Sequence, residues 1–147
     1  MKLFLDTNVI IIGAADANTP HGAILDWIGF NGANQDNDVQ LILSNVLQNE
    51  IRRVARRVRN KDWAGEIIHR LWQNCDLIIV TYEPNEDEIL KWASKIPRED
   101  VGVYLTAIAG DVQHFVSANH LLLKSIAAET GAFECHTPQE FFDQFVA

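Results

Sequence analysis

Short apolar runs alternate with longer amphipathic stretches along the chain. Runs of three or four apolar residues predict buried strands, and longer stretches with one apolar face predict helices. The predicted strands are 2–5, 41–43, 77–80, 114–116 and 133–135. The predicted helices run from Thr19-Pro20 to about Phe30, from Ser44 or Asn45 to Val58, from 62 to 74, from Pro84-Asn85 to a point before Pro97, from Glu99 to Gly110 and from 119 to 129. A last predicted helix starts at Thr137-Pro138.

Two segments carry less periodic patterns. Residues 9–15 are apolar throughout and indicate either the start of a helix or an extended turn. Asn, Gly, Gln and Asp between Asn31 and Asp38 predict a loop.

The alternation of strand and helix predicts an α/β fold, with a mainly parallel sheet and helices on both faces. With no repeat and no long linker, we expect a single domain spanning 1–147.

Composition and charge narrow the class of protein. An apolar content of 48% indicates a globular chain, and no apolar stretch is long enough to span a membrane. Asp6 and Asn8 interrupt any signal-peptide core. Cys75 and Cys135 lack metal-like spacing, so we expect reduced thiols in a cytoplasmic protein. The five histidines (His21, His69, His114, His120 and His136) also lack ligand-like spacing and are expected to be structural or exposed.

The net charge of −8 argues against a nucleic-acid partner, but the positive charge is unevenly distributed. A short stretch holds Arg52, Arg53, Arg56, Arg57, Arg59 and Lys61. Such a cluster is most often a solvated helix surface. It could also contact RNA phosphates, with Arg52, Arg53 and Arg56 as the candidates.

Polar side chains follow the strands at positions that could converge. Asp6 ends the first strand, Glu50 lies in the helix after the second, Asp100 opens the helix before the fourth, and Asn119 follows the fourth. Open α/β sheets bind ligands at the carboxyl ends of their strands. Carboxylates that meet there repel one another unless a cation joins them, and Mg²⁺ or Mn²⁺ prefers such oxygen ligands. Phosphodiester hydrolysis is the natural chemistry of such a centre.

Each of these residues also has a structural interpretation. Asp6 can cap the following turn, and Glu50 can pair with Arg53. Asp100 can complement a helix dipole, as can the neighbouring Glu99. Asn119 can cap the helix that starts at His120.

Four segments, in order, resemble the motifs of the PIN-domain family, the fold of many prokaryotic toxin ribonucleases. They are Leu5–Val9, Ile42–Ile51, Asp100 with Ala107, and Phe115–Asn119. The resemblance implies an α/β/α sandwich and a ribonuclease that depends on Mg²⁺ or Mn²⁺. Its metal ligands would be Asp6, Glu50 and Asp100, with Asn119 completing the site and Asn8 and Ser117 in supporting positions. The resemblance also implies an antitoxin partner and a homodimer, for which Trp27 and Phe30 (or Trp63) could form an apolar patch.

One departure from the family pattern concerns Asn119, which stands where the family usually has Asp. Loss of one negative charge should weaken attraction for a divalent ion. The alternative is therefore a weakened or inactive PIN-like module that binds RNA or a partner. A third interpretation is a doubly wound phosphatase or receiver-like domain with a nucleophilic Asp6, for which Lys124 is poorly placed.

Overall fold

The computed structural model describes residues 1–32, 38–83, 85–129 and 131–147. In the described ranges, five strands alternate with helices along the chain. The strands are β1 (Lys2–Leu5), β2 (Gln40–Ser44), β3 (Leu77–Val80), β4 (His114–Val116) and β5 (Glu134–His136). The helices are α1 (Thr7–Ala15), α2 (Pro20–Trp27), α3 (Asn45–Val58), α4 (Lys61–Asn74), α5 (Glu86–Ala93), α6 (Arg98–Ala109), α7 (His120–Glu129) and α8 (Pro138–Phe141). A π-helical segment, Phe142–Val146, follows α8.

The strands form one parallel sheet in the order β3-β2-β1-β4-β5. Strand β1 is central, with Leu5 paired to Val116 of β4 and Leu3 paired to Leu41 of β2. Because every strand runs the same way, all carboxyl ends meet at one edge. From β1 the chain first adds β2 and β3 on one side and then β4 and β5 on the other. Such a switch in the direction of strand addition leaves a crevice at the carboxyl ends of the strands on the two sides of the switch.

Aromatic contacts identify the two layers that cover the sheet. On one face Phe115 stacks on Phe4 and Phe133, and Tyr104 of α6 contacts both Phe133 and Trp92 of α5. On the other face His114 and His136 contact Phe141 of α8, which also contacts Trp27 of α2. The fold is therefore α/β with helices on both faces, as the sequence pattern predicts.

Several predicted boundaries are wrong for local reasons. Helix α2 ends at Trp27 rather than near Phe30, because Gly29 adopts a φ of 96° that ends the helix. The prediction that the helix opened by Asn85 ends before Pro97 is confirmed, since α5 ends at Ala93. The last strand is Glu134–His136 rather than 133–135. For residues 9–15, the first of the two expected alternatives is confirmed, because they are helical, in a helix that begins at Thr7.

Two predictions fall partly on residues without a description. Residues 33–37 of the predicted loop, and Pro84 of the predicted helix start, lie outside the described residues. Asn85 is the N-cap of α5, and its side chain accepts a hydrogen bond from the Glu88 N–H.

The apolar patch proposed for a dimer is not on the surface. Phe30 and Trp63 are buried in the core of their own chain, and Trp27 is half-buried against Phe141. These rings already make intrachain contacts and cannot form the expected exposed patch.

Cys75 and Cys135 are free thiols, as predicted. None of the helices in the described part of the chain combines the length and apolar character needed to cross a membrane.

Candidate functional site

The carboxylate of Asp6 lies at the carboxyl end of β1 and is nearly buried, with 7% of the residue exposed. Its backbone N–H continues the sheet by donating to the Val116 carbonyl at 2.9 Å. Asp6 is also the N-cap of α1, since its Oδ1 accepts from the Thr7 N–H at 2.8 Å. Capping thus fixes the carboxylate where the chain turns from strand to helix.

A polar network joins the end of β1 to the end of β4. The fully buried Ser117 hydroxyl donates to Asp6 Oδ2 at 2.8 Å and accepts the Asn119 N–H at 3.0 Å. The Asn8 amide donates to Asp6 Oδ2 at 3.4 Å and accepts the Ala118 N–H at 3.0 Å. The two predicted supporting residues, Asn8 and Ser117, therefore hold Asp6 in one orientation.

A cavity of about 230 Å³ opens beside this network and collects all four predicted site residues. Its lining consists of Asp6, Thr7, Asn8, Glu50, Val54, Arg57, Asp100 and Asn119. Glu99, the competitor of Asp100 in the sequence, is exposed and is not among the lining residues. The chain therefore brings carboxylates from β1, α3 and α6 to one crevice.

The electrostatics of the cavity show that these carboxylates influence one another. Burial raises the pKa of Asp6, and the negative charge of Glu50 adds to that rise. Hydrogen bonds from Ser117 and Thr7 oppose it. Burial, followed by the charges of Asp6, Glu99 and Glu50, raises the pKa of Asp100 to about 6. A cation in the cavity would relieve this repulsion.

Glu50 and Asn119 also satisfy their structural interpretations. Glu50 forms a two-pronged ion pair with Arg53, with contacts of 2.7 Å and 3.3 Å. This pair is largely exposed and adds little stability. Asn119 caps α7, since its Oδ1 accepts the Leu122 N–H at 3.1 Å. Both side chains nevertheless line the cavity, so the two roles coexist.

The donor set of the cavity fits a hard divalent cation. Three carboxylates and an amide supply oxygen donors of the kind that Mg²⁺ and Mn²⁺ prefer. Thr7 provides a separate observation, because its buried hydroxyl oxygen has no hydrogen-bond partner among the residues that the structure describes. A buried hydroxyl without a partner at the wall of a polar cavity is available to bind an ion or a water molecule.

A second, more basic cavity of about 470 Å³ lies along α3 and adjoins the acidic one. It is lined by Asn49, Arg52, Arg53, Arg56 and Arg57. Arg57 lines both cavities. The structure thus places the three predicted RNA-contact arginines together beside the carboxylates.

The sequence interpretation did not single out Arg57 or Thr7 as site residues. Arg57 follows Glu50 by seven residues, which is two helical turns, so it projects from the same face of α3. That spacing was a usable signal. Thr7 lies within the Leu5–Val9 segment, but nothing in that segment indicates that its side chain lines a cavity.

Comparison with known proteins adds a fold relationship. No family model matches the chain, and no curated protein sequence matches it. Among solved structures it is similar to VapBC2 from Rickettsia felis bound to a DNA fragment from their promoter, with a TM-score of 0.63 and 14% identity over 93% of this chain and 98% of the other. It is also similar to VapBC-1 from nontypeable Haemophilus influenzae, with a TM-score of 0.60 and 17% identity over 95% and 99%. This chain has the PIN-domain fold. At these identities the likeness of this PIN-like chain to the two complexes concerns the fold alone.

Proposed function

We propose that this PIN-fold chain is a divalent-metal-dependent ribonuclease of the toxin type. The observation that carries the proposal is the meeting of Asp6, Glu50 and Asp100 in one cavity whose wall, at Arg57, is shared with an arginine-lined cavity. Cleavage of RNA by this route uses carboxylates that hold the metal ion and basic side chains that bind the RNA phosphates. The fold likeness to VapBC toxin–antitoxin pairs supports the same class.

The residues of the chain divide this work between them. Asp6, Glu50 and Asp100 would hold Mg²⁺ or Mn²⁺, and Asn119 would complete the site directly or through water. The bound ion would polarise a phosphoryl oxygen and lower the pKa of a water molecule. Ser117 and Asn8 orient the Asp6 carboxylate toward the cavity.

Positioning of the RNA falls to the arginines. Arg57 would contact the phosphate at the junction of the two cavities, and Arg52, Arg53 and Arg56 would contact neighbouring phosphates. Arginine suits this role because its planar guanidinium donates two parallel hydrogen bonds to a phosphate. The net charge of −8 need not oppose binding, since the arginine-lined cavity is a local basic surface.

The alternative is a catalytically weakened or inactive PIN-like module that binds RNA or a partner. The cap formed by Asn119 favours it, because the Oδ1 atom that a metal would use already accepts the Leu122 N–H. A carboxylate at this position would have a second oxygen to spare, whereas the other end of the amide is a donor.

A calorimetric titration with Mn²⁺ or Mg²⁺, together with an assay of labelled-RNA cleavage, distinguishes the active nuclease from the inactive binding module. The proteins compared are the wild type, Asp6→Asn, Asn119→Asp and the matched control Glu99→Gln, which removes an exposed acid next to the cavity. The nuclease proposal expects metal binding and metal-dependent cleavage in the wild type and Glu99→Gln, and neither in Asp6→Asn. If the wild type binds no divalent ion at millimolar concentration, the proposal is wrong.

Asn119→Asp decides how far the natural site is attenuated. Aspartate is an equally good helix cap, so the variant should fold normally. A gain of both metal affinity and cleavage over a barely active wild type supports the attenuated module. Equal cleavage by both proteins supports a fully active natural site.

RNA contact can be measured apart from cleavage in the Asp6→Asn background, by fluorescence anisotropy at several salt concentrations. Arg57→Ala should weaken binding and reduce the slope of log K against log salt by about one. Lys91→Ala, which removes an exposed cation from α5, should leave both unchanged. An unchanged slope in Arg57→Ala would remove the arginine-lined cavity from the RNA path.

The toxin class adds a protein partner and a cellular effect. We propose an antitoxin partner as part of this function, supported by the VapBC complexes to which the fold is similar. A homodimer and a cytoplasmic location are further parts of the proposal. Induced expression of the wild type should arrest bacterial growth, whereas Asp6→Asn should not. Growth arrest by both proteins would point to a cause other than RNA cleavage, and light scattering of the purified chain would test the dimer.

A further inference from the structure

Three potential metal ligands lie together on β4 and β5, the two strands on the opposite side of β1 from β2 and β3. The strand register pairs His114 with Glu134 and Val116 with His136. Side chains two residues apart on a strand point to the same face. His114, Glu134 and His136 therefore share one face of the sheet. Phe115, which stacks on Phe4 in the core, and Ser117, which donates to Asp6, point to the other face.

The ligand atoms of this trio form a small triangle. His114 Nδ1 lies 3.0 Å from His136 Nε2, and Glu134 Oε2 lies 3.6 Å from each of these nitrogens. A tetrahedral Zn²⁺ ion with ligands at 2.0–2.2 Å keeps those ligands roughly 3.3–3.6 Å apart. The three side chains thus already approach the spacing of one face of such a tetrahedron.

We propose that His114, Glu134 and His136 bind a divalent transition-metal ion, with Zn²⁺ as the best fit. Two imidazoles and one carboxylate suit zinc and its neighbours, while Mg²⁺ prefers an all-oxygen site such as the acidic cavity. Three protein ligands leave a fourth position open to water or to another ligand. This site is separate from the proposed catalytic metal and does not depend on the nuclease function.

The surroundings of the trio suit a metal ion as well. Phe141 and Phe145 pack against both imidazoles, with ring centroids 4.9 Å apart for His114 and Phe145 and 5.7 Å apart for His136 and Phe141. These rings restrict the imidazoles to their present orientation, as the apolar shell of a metal centre does. Glu134 is 66% exposed and gives an ion access from solvent.

The bound ion would fasten the C-terminal part of the fold. It would link β4 to β5 through side chains, directly under the aromatic contacts of α8 and the π-helical segment. The alternative to a metal ion is a hydrogen bond between the two imidazoles, because at 3.0 Å one ring nitrogen can donate to the other. Only a binding measurement separates the two.

The test uses the metal-stripped full chain and Zn²⁺ in competition with a chromophoric chelator. Co²⁺ serves as a spectroscopic probe, because tetrahedral Co²⁺ absorbs strongly in the visible range. The wild type should bind one Zn²⁺ at this site and show the tetrahedral Co²⁺ spectrum. Glu134→Gln and His136→Gln should each weaken Zn²⁺ binding by at least about 10-fold and remove the rise in melting temperature that Zn²⁺ causes in the wild type.

Two control variants locate the ion. His69→Gln removes an exposed histidine of α4, and Asp6→Asn disables the acidic cavity. Both should retain Zn²⁺ affinity and the Co²⁺ spectrum. If Asp6→Asn loses binding instead, or if the wild type binds no better than Glu134→Gln, the histidines form only a hydrogen-bonded pair and the proposal is wrong. Glu134→Gln keeps the test valid if His136→Gln does not fold, since Glu134 is exposed.

Discussion

Replacing Asp100 by asparagine should stabilise the metal-free protein at neutral pH while it removes a proposed metal ligand. Folding raises the pKa of this carboxyl from 3.8 to about 6, because it is partly buried and faces the charges of Asp6, Glu99 and Glu50. The folded state therefore favours the protonated form. The resulting loss of stability is absent below pH 3.8, grows as the pH rises, and is complete above about pH 6.

The size of the effect follows from that shift. Two pKa units correspond to about 3 kcal/mol, but Asp100 is only half-buried and solvent screening reduces this to roughly 1–2 kcal/mol. Asp100 also lies in the first turn of α6, where its charge gains about 0.3–1 kcal/mol from the helix dipole. The net gain from Asp100→Asn is then about 1 kcal/mol at pH 7.5, or about 2–4 °C in melting temperature for a chain of this size.

Urea unfolding in EDTA, followed by tryptophan fluorescence at pH 7.5 and pH 4, measures this gain. Asp100→Asn should be more stable than the wild type at pH 7.5 and close to it at pH 4. Added Mg²⁺ or Mn²⁺ should stabilise the wild type and reverse the order at pH 7.5. Glu99→Gln should show a smaller gain and keep the response to metal. The reasoning fails if Asp100→Asn is less stable at pH 7.5 in EDTA, or if its advantage is the same at both pH values.

Two further substitutions test the network and the packing around the site. Ser117→Ala should lower the free energy of unfolding by about 1.5–3 kcal/mol, because it removes a buried hydrogen bond to the Asp6 carboxylate; urea titration measures this, and a loss below about 0.5 kcal/mol would contradict it. Gly13→Ala should cost about 1–3 kcal/mol, since a Cβ there would lie 2.8 Å from the His21 backbone where α1 and α2 touch. Gly65→Ala is its matched control, because a Cβ added there would meet no described atom within 4 Å beyond its own helical turn, and alanine should add up to about 1 kcal/mol of helix stability. Equal melting temperatures for the two variants would refute the packing argument.

Local signals explain why most elements could be predicted and why some ends could not. Cap residues such as Thr19, Ser44 and Asn85 mark helix starts that the structure contains. The end of α2 was missed because apolar periodicity continues to Phe30, while Gly29 terminates the helix through its positive φ. The last strand was displaced by one residue because Phe133 is apolar and buried without belonging to the ladder.

The sequence by itself determined the order of the elements, the parallel sheet and the carboxylates that follow its strands, because all three depend on local periodicity and on the position of polar residues at strand ends. The tertiary structure decided which side chains meet. Ser117 reaches Asp6 across more than 100 residues, and Arg57 joins two cavities only because α3 packs beside the carboxyl edge. His114 and His136 came together through the register of β4 and β5, which depends on contacts between residues far apart in the chain and leaves no trace in local spacing.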